Sequence, residues 1–147
     1  IVNSLYIAPE DLEAHNIKLQ AKYELMRQNE SRVESYNIED ADVVIAAYGT
    51  TARIAKTAIS KLEKEGYKVG LIRPITLWPY PYDEFKKVNP NCKGILTVEM
   101  NNGQMVDDVK IAVEGKFPVS FYGRTGGMVP TPDAIIEHVK KICGGEK

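Results

Sequence analysis

The sequence predicts an α/β domain with a largely parallel sheet covered by helices on both faces, and three observations predict it. Strand-like apolar runs alternate with amphipathic helical segments over about a hundred residues. The run Ala41–Ala47 is apolar apart from Asp42 and shows no alternation, as expected of a strand lying between two helical layers. Turn chemistry, such as Gly66, Pro74 and Asn89-Pro90-Asn91, separates the runs.

Taken in order, Ile1 to Pro9 reads as an extended segment, and its abrupt apolar start predicts that the chain is the tail of something longer. From Glu10 to about Val33 the charge is dense and mixed. Leu12, Leu19, Met26 and Val33 recur at heptad spacing with Tyr23 between them, a narrow stripe on a helix. Such a stripe lies either on its own domain or against a neighbouring subunit. Arg32 to Ile38 fits a short edge strand, and Asn37–Asp40 turns the chain.

After the strand Ala41–Ala47, a helix over Thr51–Glu65 places Ile54, Ala55, Ala58, Ile59 and Leu62 on one side, with Gly66 as its C-terminal cap. Lys68–Ile72 is the second strand of this series; Arg73-Pro74 ends it, because the residue before proline avoids helical geometry. Leu77-Trp78-Pro79-Tyr80-Pro81-Tyr82 makes a stiff aromatic loop before a short helix, Asp83–Val88. Gly94–Val98 is a strand ending in Glu99. A helix over Gly103–Val113 turns Val106, Val109 and Val113 inward. Val119–Tyr122 is the last strand. The final helix, Pro132–Ile142, has Thr131 as N-cap, proline in its first turn, Ile135, Ile136, Val139 and Ile142 inward, and Gly144-Gly145 after it.

Composition narrows the function classes. The 147 residues carry 19 basic and 20 acidic side chains, a net charge of −1, so nothing concentrates a polyanion and nucleic acid is not an expected partner. No apolar run approaches the ~18 residues that cross a bilayer, and Ile1–Ala8 lacks the basic leader of a signal peptide. Cys92 and Cys143 lie outside any C-x-x-C pattern, so ordinary thiols in a reducing cytoplasm are expected. Two cysteines cannot build a four-cysteine iron–sulfur site, and the positions of the cysteines and histidines offer no candidate set for a metal or a serine-type triad.

Right-handed crossovers bring the loops at the carboxyl ends of the strands to one edge of the sheet, where a site is expected. Gly49-Thr50-Thr51 offers free backbone N–H groups and two hydroxyls at a helix start, which suits a phosphate but is also how any helix is capped, and a cap is the reading taken here. Neither G-x-G-x-x-G nor the Walker-type glycine loop occurs. Glu99, followed by Asn101, Asn102, Gly103 and Gln104, has the residue types of a general base with amide donors, but no second titratable group adjoins it in sequence. The structural alternative has Glu99 accepting loop N–H bonds. Arg124-Thr125-Gly126-Gly127 suits either a carboxylate or phosphate clamp or an arginine pairing across an interface. His15 and His138 fall at ordinary helical positions.

Together, Asp42–Leu62, Val69–Pro79, Ile95–Met105 and Phe121–Gly127 resemble one family: the carboxyl-terminal part of the thiamine-pyrimidine-binding subunit of 2-oxoacid:ferredoxin oxidoreductases, most of all the branched-chain (2-oxoisovalerate) enzymes. The resemblance spans essentially the whole chain. It implies a transketolase carboxyl-terminal-like fold with three layers and a mostly parallel five-stranded sheet. One strand, at the edge, is antiparallel, and Arg32–Ile38 is placed to supply it. Residues 1–40 would be an extension carrying the amphipathic helix, and 41–147 the domain itself. The resemblance also implies an enzyme that decarboxylates a 2-oxoacid with coenzyme A to acyl-CoA and CO2, passing electrons through iron–sulfur clusters to ferredoxin. Thiamine diphosphate, Mg²⁺ and the clusters would then be held elsewhere in the complex. Gly49–Thr51, Glu99, Asn101–Gln104 and Arg124–Gly127 would face neighbouring domains or an anion. No catalytic role carries over onto a residue of this chain. Its partners would be the rest of its subunit and the other oxidoreductase subunits.

Overall fold

A computed structural model describes residues 5–144. Five strands form one sheet: β1 (Val33–Tyr36), β2 (Val43–Ala47), β3 (Val69–Pro74), β4 (Gly94–Glu99) and β5 (Val119–Gly123). Their order is β1-β3-β2-β4-β5. β3, β2, β4 and β5 run parallel, and β1 alone is antiparallel, with Val33 opposite Pro74 and Tyr36 opposite Leu71.

Successive β2 side chains serve opposite cores, as the period of a strand requires. Val43, Ile45 and Ala47 meet α2 (Gly49–Lys64) and α4 (Pro132–Cys143), through Ala55, Ala58, Leu62, Ile135 and Val139. Val44 and Ala46 meet α3 (Met105–Val113) and a 3₁₀ helix, Tyr82–Lys87, through Val109, Val113 and Phe85. All five β2 residues are buried. That explains the unbroken apolar run: with both faces covered, no position on the strand has water to accommodate a polar group.

Local signals terminate the helices as the sequence indicates. Thr131 Oγ1 accepts the Ala134 amide at 3.3 Å to cap α4, and Pro132 opens its first turn. Gly66 follows α2 with φ +88°, and Gly144 ends α4 with φ +91°. Gly145 and the first four residues lie outside the described chain. Ile142, expected inward, is half-buried near the end of α4.

Three expectations need correction. Arg73-Pro74, expected to end the strand, belong to it, because β3 runs on to Pro74 where it pairs with β1. The helix drawn through Val33 stops earlier: α1 is Pro9–Glu30, and Val33 is the first residue of β1. The extended φ/ψ of Ser31 (−70°, 118°) breaks the helix, and β1 gains sheet hydrogen bonds that another helical turn would forgo. α1 also buries none of its residues. It leaves the body as an arm, tied at its carboxyl end where Tyr23 meets Trp78 edge-on at 5.5 Å. The helix expected from Gly103 begins at Met105, because Gly103 has φ +104° and lies outside helical geometry.

Candidate functional site

The strand order sends the connection of β2 one way and that of β4 the other, so a crevice opens between their carboxyl ends. Three predicted loops converge there: Gly49–Thr51 after β2, Glu99–Gln104 after β4 and Arg124–Gly127 after β5. The last two are joined directly. The Arg124 amide donates to the Glu99 carbonyl at 3.2 Å. At Gly123 a Cβ would lie 2.3 Å from the Asn101 carbonyl oxygen, so only glycine lets these loops close.

Glu99 is fully buried. Its Oε1 accepts the Val106 amide at 3.0 Å, and its Oε2 accepts the Met105 amide at 2.9 Å and Asn101 Nδ2 at 3.0 Å. The Gln104 amide lies 3.3 Å from both oxygens. Asn101 Oδ1 in turn accepts the Gly103 amide at 2.7 Å, which fixes the turn. No side chain of the N-cap residue, Gln104, caps α3. The carboxylate five residues before the N-cap takes that place, supplying negative charge at the positive end of the helix dipole. Of the two readings of Glu99, the geometry favours the acceptor of loop N–H groups over the general base, since both oxygens are already occupied. Asn102 and Gln104 point to no chemistry of their own; both are exposed.

Gly49 and Thr50 are exposed at the start of α2, with Gly49 at φ +55°. Thr51 is buried, and its hydroxyl donates back to the Tyr48 carbonyl at 2.6 Å. No side chain caps this helix. Arg124 is half-buried and forms no ion pair with any described residue. Gly126 and Gly127 both adopt positive φ, +63° and +80°, in an exposed turn closed by the Met128 amide on the Thr125 carbonyl at 3.1 Å.

The histidines lie elsewhere. His15 stacks on Tyr6, with ring centroids 4.7 Å apart, and His138 lies against Tyr122 at 4.6 Å. Burial, then the Lys141 ammonium, hold the His138 imidazole below its ordinary value. Cys92 is buried, donating to the Gly94 carbonyl at 3.3 Å, and burial pushes its thiol up; Cys143 is half-buried and shifts the same way for the same reason. Among the described residues no group of three or more histidine, cysteine, aspartate or glutamate side chains is placed to hold a metal ion. With two cysteines in the chain, its donor set does not fit a four-cysteine iron–sulfur cluster. No helix among them is long and apolar enough to cross a membrane.

Sequence reasoning missed Asp108. It stands in the first turn of α3 and accepts the Tyr82 hydroxyl at 2.8 Å, across two elements that nothing in the sequence ties together. Both line a cleft of about 550 Å³ with Arg27, Trp78 and Tyr80.

Comparison with known proteins gives these loops a family. Residues 41–135 match the pyruvate:ferredoxin oxidoreductase core domain II. The chain is 38% identical over 144 residues to the ketoisovalerate oxidoreductase subunit VorB of Methanothermobacter marburgensis, covering 98% of this chain and 41% of that subunit. A solved 2-oxoglutarate:ferredoxin oxidoreductase from Magnetococcus marinus, with 2-oxoglutarate, coenzyme A and succinyl-CoA bound, superposes with a TM-score of 0.80 at 28% identity, over 93% of this chain and 24% of that one. An inactive split-gene transketolase β4 tetramer superposes with a TM-score of 0.62 at 17% identity, over 78% of this chain and 42% of its own, a likeness of fold alone. The sheet with its antiparallel edge strand β1 is thus of the transketolase type. The chain spans about two-fifths of the length of the curated VorB subunits it matches. By the family model and by identity across nearly its whole length, the chain belongs to the 2-oxoacid:ferredoxin oxidoreductase family, as its core domain II.

Proposed function

We propose that the chain is a non-catalytic assembly domain of a cytoplasmic, thiamine-diphosphate-dependent 2-oxoacid:ferredoxin oxidoreductase. That enzyme converts a branched-chain 2-oxoacid and coenzyme A to acyl-CoA and CO2 and passes electrons to ferredoxin. One observation carries the assembly role. Ile75, Leu77, Trp78, Met100, Met128 and Val129 are each more than two-fifths exposed, and all lie in the loops after β3, β4 and β5. Large apolar side chains gathered on one edge mark a surface that another body covers. α1 extends that surface with exposed Leu12, Ile17 and Leu25, joined to it at the Tyr23–Trp78 contact. The occupied carboxylate of Glu99 supports the non-catalytic part. Thiamine diphosphate, Mg²⁺ and the clusters belong, on this reading, to other parts of the complex.

The test mixes the purified chain with thiamine diphosphate, Mg²⁺, coenzyme A, 3-methyl-2-oxobutanoate and a viologen dye. No dye reduction is expected; turnover by the chain alone would refute the non-catalytic role. Co-expression with the remaining domains and subunits of a ketoisovalerate oxidoreductase should yield a stable complex, and failure to co-purify would refute the assembly role.

A second reading has a free-standing domain binding a small anion through Gly49–Thr51 and Arg124–Gly127. The uncapped α2 and the unpaired Arg124 favour it. Calorimetry with coenzyme A, phosphate and 2-oxoacids separates the two readings: micromolar binding, weakened by Arg124→Ala, would establish the second.

A further inference from the structure

The cleft beside Trp78 has a composition that the apolar edge does not share. Its walls are the last turn of α1 and the Trp78–Tyr82 loop, with the first turn of α3 closing one side. Trp78 is 54% exposed and Tyr82 39%, so two aromatic faces are available to a visitor. Tyr80 packs edge-on against Tyr82 at 5.1 Å and braces it. Four carboxylates lie in or beside the cleft, and three are neutralised by a lysine three residues on: Asp83 by Lys86, Glu84 by Lys87 and Asp107 by Lys110. Asp108 is the exception. Three residues beyond it stands Ile111, itself 64% exposed, and among the described residues Asp108 has no cation, only the Tyr82 hydroxyl. Arg27, the one basic side chain lining the cleft among the described residues, is paired with Glu24 at 3.2 Å. Another lining residue, Tyr80, has its hydroxyl buried with no hydrogen-bond partner among the described residues.

A carboxylate without a paired cation, in a cleft that two partly exposed aromatic side chains also line, is complementary to a cation that can stack. A guanidinium meets both features: it pairs with a carboxylate and stacks on a ring. We propose that this cleft receives an arginine side chain from a partner polypeptide, with its guanidinium on Asp108 and its plane against Trp78 and Tyr82. The inference rests on the assembly reading and assigns to one part of that covered surface the chemistry of the group that covers it.

Trp78 is the only tryptophan of the 147 residues, so selectively excited tryptophan fluorescence reports on a residue that lines the cleft. The chain is titrated with acetyl-Gly-Arg-Gly-amide, with the citrulline peptide as a neutral isostere, and with the lysine peptide. The arginine peptide should give a saturable change, and the citrulline peptide should bind about tenfold more weakly or worse, a difference of ~1.4 kcal/mol. Asp108→Asn, which keeps an acceptor for the Tyr82 hydroxyl and so should leave the circular dichroism unchanged, should lose that preference. Arg27→Ala should preserve or tighten binding by removing a like charge. Equal affinity for arginine and citrulline, an undiminished preference in Asp108→Asn, or no saturable change in either the native chain or Arg27→Ala would overturn the proposal. Lysine binding as tightly as arginine would overturn the stacking part. Association with the remaining oxidoreductase subunits, measured on the same preparations, keeps the two readings apart. If the chain joins the complex but shows no arginine preference, the cleft proposal fails and assembly stands. If it does not join at all, assembly fails whatever the peptides show.

Discussion

Replacing Glu99 by glutamine tests the strand-end architecture most directly, because it changes one oxygen into an amide nitrogen and almost nothing else. Whichever oxygen is replaced, the new NH2 group faces a backbone amide that formerly donated to it: Val106 at 3.0 Å, or Met105 at 2.9 Å with Asn101 Nδ2 beside it. A buried donor left without an acceptor costs ~1–3 kcal/mol. The surviving bonds lose their charge and with it roughly half their strength, a further ~1–2 kcal/mol. Loss of the anion from the α3 amino terminus removes another ~0.5–1 kcal/mol. Relief of carboxylate desolvation opposes these losses, leaving a net cost of about 3 kcal/mol, a large share of the ~5–15 kcal/mol that holds a domain folded. At a urea m-value of ~2 kcal/mol/M the midpoint should fall by ~1.5 M. Far-UV circular dichroism and Trp78 fluorescence should report the same shift. The exposed Glu39, changed to glutamine as a control, should stay within ~0.5 kcal/mol. A loss below about 1 kcal/mol in Glu99→Gln would refute the capping role. An unchanged midpoint with abolished turnover in the assembled oxidoreductase would reinstate Glu99 as a catalytic base.

Two further outcomes follow from the same geometry. Gly123→Ala drives a methyl to within 2.3 Å of the Asn101 carbonyl oxygen and 2.5 Å of the Phe121 ring. Because a backbone oxygen in a fixed loop has little room to retreat, a loss of ~2–3 kcal/mol is expected in urea denaturation, and a neutral result would refute the loop contact. His138 bears on acid stability. With its folded-state pKa held below the ordinary value by burial and Lys141, the unfolded chain takes up a proton first as the pH falls. The stability it contributes is therefore complete above pH ~6.5 and declines below that value. Denaturation at pH 7.5 and 5.5 should show a smaller decline in His138→Gln than in the native chain; an equal or larger decline would refute the assignment.

Where the sequence was legible, the determining contacts are local. α2 and α4 announce themselves because their apolar period and the glycines that follow them, and in α4 the Thr131 cap as well, all lie within the helix and the residues bordering it. Their rigid placement follows from β2, whose unbroken apolar run requires cover on both faces. Where the sequence misled, a distant partner decides. The heptad stripe continued through Val33 because periodicity cannot register that Val33 pairs with Pro74 in another strand. Glu99 was readable as an acceptor of loop amides, but which amides it takes depends on the left-handed Gly103 that delays α3. Asp108 stayed hidden because an aspartate in a first helical turn looks like dipole compensation. Only the fold sets it beneath Tyr82.

The distribution of charge on the folded chain argues for a covered edge more strongly than the apolar content does, since 44% hydrophobic residues is ordinary for a soluble domain. Charges are spent where the sheet must stand alone. At the β1 edge Glu34 is held between Lys56 and Arg73, and the Tyr36 hydroxyl donates to Glu63 at 2.7 Å, so a short edge strand is closed off by side chains. The loops after β3, β4 and β5 receive no comparable treatment. There Trp78, Met100 and Met128 face outward. Among the described residues neither Arg124 nor Asp108 forms an ion pair. A domain adapted to water on every side would pair or remove such groups, as this one does along β1. Unpaired ions and exposed aromatics left together on one edge are what remains when the groups completing them belong to another surface.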